Sequence, residues 1–179
     1  IKQRDLRLLG LLLDTKGSND NEFSPFASCG VGTTTCYQND GNWTAHTQIV
    51  YVGTSGKDYI YTMRLWGEWK QTPLAAFKDR AAIAADSYHR AVSGGTTGQQ
   101  CWRTSSGQQC TSSIETKPHT NYTEWAFYVR SASPQHFYGT QQFYIDQARS
   151  GHNHTIGASY IHPWSPVNPS ITVQGVNIS

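Results

Sequence analysis

The stretch IDQARSGHNHTIGASYIH, residues 145–162, holds three of the seven histidines of this chain. In an extended strand, side chains two positions apart share a face, so His152 and His154 would present their imidazoles side by side. With His162 as a third ligand, or Asp146 to complete the set, the group suits zinc with one position left for water. Water bound there is the nucleophile of a metal-assisted hydrolase or nuclease. The same residues also read as a polar, Gly-containing turn between strands, and a glycan on Asn153 would crowd any ligand held between the two histidines.

A metal-free site is harder to draw. His89, His136, Glu68 and Glu124 could supply a His/Glu pair for acid–base work, but no spacing singles them out. The chain carries no G-x-S-x-G and no H-E-x-x-H motif. GTSGK at 53–57 is not a phosphate loop, because Gly53 and Gly56 stand too close and Asp58 follows Lys57 where Ser or Thr is required.

Of the four cysteines, Cys101 and Cys110 lie in QQCWRTSSGQQC (99–110), and Cys29 and Cys36 in SCGVGTTTCYQ. Neither pair has the two-residue gap of a zinc knuckle or a thioredoxin-like site. WRTSSGQQ reads as strand, turn, strand, which brings cross-strand cysteines within bridging range. Four cysteines allow three connectivities, and the expectation is the two local bridges, Cys29–Cys36 and Cys101–Cys110. Disulfides imply an oxidising compartment. Sequons at Asn42, Asn121, Asn153 and Asn177, out of eight asparagines, agree with it. The localisation expected is secreted and extracellular.

Six tryptophans are many for 179 residues. Trp125 fits the apolar face of a strand. Trp43, Trp102 and Trp164 fall in or beside turn-rich segments, where an indole can stack on sugar or grip a partner, and they are the candidate binding residues. Packing against loops is the alternative use of the same rings.

The elements that must position these residues are mostly strands. HTQIVYVGTSGKDYIYTMRLWGEW (46–69) reads as a hairpin around GTSGK, and NYTEWAFYVRS (121–131) alternates apolar and polar positions. FYGTQQFYIDQ (137–147), TIGASYIHPW (155–164) and SITVQGVNI (170–178) add three more strands. Residues 17–45 read as irregular. TPLAAFKDRAAIAADSYHRAV (72–92) has a Thr72 cap, Pro73 at the first helical position and a Ser-Gly-Gly stop, with apolar residues at three- and four-residue spacing. It is expected to be a helix, with Asp86 and Arg90 paired across one turn.

The fold class expected is therefore α+β: a twisted antiparallel sheet or small β-sandwich of about seven or eight strands with one packed central helix. Residues 1–16 are expected to be an N-terminal helix or the remnant of a pro-segment, and 17–179 a single β-rich domain.

A formal charge of +2 is spread thinly, which argues against nucleic acid as a partner. LLGLLL (8–13) is far short of a membrane span. No cofactor is implied, and the sequence sets no oligomeric state. The functional expectation is a secreted, disulfide-stapled glycoprotein that binds a protein or glycan target on a cell surface or host, toxin- or effector-like. The alternative is a secreted hydrolase or nuclease built on the histidines.

Overall fold

The computed structural model describes residues 6–14, 24–25, 35–39, 43–72, 78–131, 134–149, 154–161, 171–173 and 176–178. Side chains are described over 44–72, 78–131 and 134–149, and at Gly157, Ala158 and Tyr160.

Fourteen strands run through these residues. They are β1 (Leu6–Asp14), β2 (Ser24–Pro25), β3 (Thr35–Asn39), β4 (Trp43–Ser55), β5 (Asp58–Trp69), β6 (Lys78–Ala85) and β7 (His89–Thr104). Then follow β8 (Gly107–Thr111), β9 (Glu115–Pro118), β10 (Tyr122–Tyr128), β11 (Gln135–Asp146), β12 (His154–Ile161), β13 (Ile171–Val173) and β14 (Val176–Ile178). One 3₁₀ turn at Gln147–Arg149 is the only helical element among the described residues. The strands build two six-stranded sheets, ordered β2-β1-β12-β6-β10-β9 and β3-β4-β5-β11-β7-β8, beside a β13–β14 hairpin. Pairing is antiparallel except between β1 and β12, which run parallel.

The two sheets close on one apolar core. Ala81, Ile83, Trp125, Phe127, Ala158 and Tyr160 come from the first sheet, and Ile49, Met63, Leu65, Phe137, Phe143 and Ile145 from the second. Phe127 stacks on Phe137 across the gap, ring centroids 4.5 Å apart, and Trp125 leans on the same ring at 5.7 Å. Gly98 and Gly139 face each other in the β7–β11 register. A Cβ on Gly98 would stand 2.6 Å from Ile114 and 2.7 Å from the Trp125 indole, so the pair of glycines makes the slot that ring occupies. Polar groups also bridge the sheets. Buried Gln141 accepts from Thr96 of β7 and from Thr123 of β10, the latter at 2.5 Å, and Trp69 Nε1 donates to Tyr160 Oη at 2.9 Å.

The α+β expectation is corrected: the described residues are nearly all β, with no packed central helix among them. Of the segment expected to be that helix, residues 73–77 lie outside the described residues, and 78–92 form β6 and the start of β7, joined by a turn at 87–88. β6 lies between β12 and β10, and Ala81–Ala85 are buried on both faces. A strand buried on both faces has no alternation to reveal it, and its alanines fell by accident on three- and four-residue spacing. Asp86 does not pair with Arg90. It accepts from the Tyr88 N–H at 3.0 Å and meets His89 Nδ1 at 2.7 Å, while Arg90 reaches Asp58 at 2.8 Å. Leu6–Asp14 likewise forms a strand instead of a helix. LLGLLL is apolar at every position, the pattern of parallel strands rather than of amphipathic helices.

Candidate binding site

At one end of the second sheet the register aligns Trp43 with Trp69, Trp69 with Gln135, Gln135 with Trp102, and Trp102 with Gln109. Three of the six tryptophans thus share a single cross-strand row. The next row inward runs Thr44, Glu68, His136, Cys101 and Cys110. Cys101 and Cys110 sit directly opposite each other and are joined by a disulfide, which ties β8 to β7 beside the turn.

Trp102 is half-buried, and the Arg130 guanidinium lies over its ring, 4.6 Å from the centroid. Arg130 belongs to the segment that leaves the first sheet after β10, so the pair closes the end of the sandwich. Two buried glutamines hold that segment. Gln100 Nε2 donates to the Tyr128 carbonyl at 2.7 Å. Gln135 accepts from the Arg130 N–H at 2.9 Å and donates to the Arg130 carbonyl at 2.7 Å. The Arg103 N–H adds a bond to the Pro134 carbonyl at 3.1 Å. Buried amides hydrogen-bonded on several sides fix backbone well, so Arg130 is delivered to Trp102 preorganised.

Two open grooves flank this pair. One, of about 340 Å³, is lined by Trp102, Arg103, Gly107, Gln108, Pro134 and His136. The second, of about 180 Å³, includes Lys78, Gln100, Glu115, Tyr128 and Arg130 in its wall. Tyr128 is 62% exposed, with Lys78 Nζ 5.9 Å from its ring centroid. Glu115 accepts from Lys117 at 2.9 Å and from Lys78. These two hydrogen bonds, that of Lys117 first, hold the Glu115 carboxyl down to about 2. Behind the second groove Arg80 and Glu124 form a closed ion pair, both buried.

No family model and no curated protein matches the chain. Among solved structures it is similar to the collagen-binding subdomain of the Enterococcus faecalis surface protein ACE, at TM-score 0.38 and 10% identity over 65% of this chain and 96% of that one. It is also similar to the collagen-binding domain of the Erysipelothrix rhusiopathiae surface protein RspB, at TM-score 0.34 and 7% identity over 66% and 64% of the two chains. A collagen-binding domain from a Staphylococcus aureus adhesin gives TM-score 0.33 and 7% identity over 62% and 99%. At TM-scores this low the likeness carries no argument about the ligand.

Of the candidate binding residues, Trp43 and Trp102 fall in one row, while Trp164 lies outside the described residues. His152 and His162 lie outside them too, and His154 opens β12 with only its backbone described. Among the described residues no group of three or more His, Cys, Asp or Glu is placed to hold a metal ion. The acid–base quartet is dispersed: Glu68 stands opposite His136 across β5 and β11, His89 is buried against Asp86, and Glu124 pairs with Arg80.

Cys29, Asn42 and Asn153 lie outside the described residues, and of Cys36 and Asn177 only the backbone is described. At the Asn121 sequon, Asn121 Nδ2 donates to the Ala85 carbonyl at 3.0 Å, and the Thr123 hydroxyl is buried on Gln141. Both side chains therefore serve the fold. Among the described residues no helix is long and apolar enough to cross a membrane.

Arg103, Tyr128, Arg130 and Lys78 were not candidates from the sequence. Arg103 beside Trp102 at a turn was a local signal. Arg130 gave none, because its partner lies in the other sheet.

Proposed function

We propose that this chain is a secreted, disulfide-stapled binding module, toxin- or effector-like in use, which holds a glycan or protein on a cell surface at the Trp102 end of its sandwich. The observation that carries this reading is the Trp102–Arg130 stack, clamped by Gln100 and Gln135 beside an open groove. Rigid scaffolds that aim an aromatic ring and a cation at solvent are built for recognition, since the entropy of ordering the site has been met in advance. The disulfide and the sequons support the extracellular setting. By extension, Cys29 bridges Cys36, and Asn42, Asn153 and Asn177 carry glycans.

The test is binding of labelled protein to a glycan array and to intact cultured cells. Trp102→Ala is expected to cut binding about ten-fold or more, in keeping with loss of a buried aromatic anchor. Unchanged binding in a folded Trp102→Ala protein would remove Trp102 from the site and the reading with it.

A further inference from the structure

Arg130 lines one groove and stacks on Trp102, which lines the other, so the two grooves adjoin at this stacked pair. The surface they form alternates rings and cations: Arg103, Trp102, Arg130, Tyr128, Lys78. Its charge is one-sided. Arg103, Arg130 and Lys78 line the grooves against one carboxylate, Glu115, which Lys78 and the neighbouring Lys117 already neutralise. The carboxylate behind it, Glu124, is spent on Arg80. The first groove has no carboxylate in its lining. In a chain whose formal charge is only +2, the walls of the two grooves alone hold an excess of two, three cations against one carboxylate.

We infer that the ligand of this surface is an anionic polysaccharide, a chain of sugar rings bearing carboxylate or sulfate groups. This rests on the proposal that the Trp102 end is the binding site. The exposed ring of Tyr128 suits the C–H face of a sugar ring, and Trp102 holds Arg130 beside it. The guanidinium groups of Arg103 and Arg130 present paired donors to carboxylate or sulfate oxygens. The Gln108 amide faces the same groove and serves hydroxyls. Both grooves are open and lie on either side of the Trp102–Arg130 pair, the shape for a chain that passes across rather than a side chain that plugs in.

The test titrates the full chain with two polymers of one backbone, dextran sulfate and uncharged dextran, by calorimetry at low and at physiological salt. Dextran sulfate is expected to bind at least about ten-fold tighter than dextran, weakening as salt rises. Arg103→Gln and Arg130→Gln should each weaken it about ten-fold. Arg130→Lys, which keeps the charge but not the planar stack, should fall between. Lys57→Gln, at an exposed hairpin turn between β4 and β5, should change nothing. Thermal midpoints confirm that each variant is folded.

Equal affinity for dextran, or no effect of either arginine variant, overturns the inference. So does a loss in Lys57→Gln as large as theirs, which would mean bulk charge alone. Binding of a dT₂₀ oligonucleotide as tight as dextran sulfate, and lost in the same variants, would reassign the ligand to single-stranded nucleic acid. If Trp102→Ala weakens array or cell binding while the arginine variants do not, the site stands and only its anionic ligand falls. If none of the variants changes any binding, both readings fall.

Discussion

Gln135 is the residue on which the site geometry turns, since its amide grips both the N–H and the carbonyl of Arg130. Replacing it by leucine keeps the bulk and removes the grip. Gln135→Leu is expected to cost about 1–3 kcal/mol in urea denaturation, the range for buried polar partners left without their bond. Ligand affinity should also fall, although residue 135 touches no ligand. An unchanged affinity would show that Arg130 finds Trp102 without help. At this scale the sequence pointed to part of the site. Trp102 was legible because an indole beside a turn is a recognisable signal. Gln135 was not, because its residue type alone does not mark a glutamine whose amide turns back on the Arg130 backbone five residues earlier.

The stapled hairpin is the element that carries one wall of the larger groove. Cys101 and Cys110 are nine positions apart, and closing a loop of that length restrains the unfolded chain by about 2–3 kcal/mol. Cys101→Ser with Cys110→Ser is expected to lower stability by that amount, read from chemical denaturation. Binding at Trp102 should weaken as β8 loosens from its edge position.

Elements with a wet face were legible. β11 alternates buried and more open positions, and the β4–β5 hairpin turns at Gly56-Lys57, within the GTSGK motif, with Gly56 at φ 57°. β6 was not, because capping signals and alanine-rich composition describe a helix equally well when both faces of a strand are covered. The strand order was hidden for a related reason. β11 inserts between β5 and β7, and only that insertion lines up Trp43, Trp69 and Trp102.

For the whole molecule, acid acts in two stages of opposite chemistry. His46 stacks on Trp66 at 4.9 Å, and burial lowers its pKa from 6.5, partly opposed by the charge of Glu68. The unfolded histidine takes a proton that the folded one resists, so stability is full above about pH 6.5 and declines as pH falls through the lower folded value. Glu115 acts further down. Its folded pKa of about 2 lies below the ordinary 4.5, so its contribution holds above pH 4.5 and is lost as pH falls toward 2. Because Glu115 is largely exposed, salt should erode that second stage. Thermal midpoints measured from pH 8 to 3 are expected to show both steps, and His46→Phe should flatten the first alone.

The parallel pairing of β1 with β12 bears on timing. Leu6–Asp14 must wait for His154–Ile161, far along the chain, before it has a neighbour on that side. β5 waits for β11 in the same way. Pairings this distant in the chain form slowly. A polypeptide whose sheets close only when such distant partners meet stays threadable until then, the state in which a chain can pass through a narrow pore before it folds on the far side.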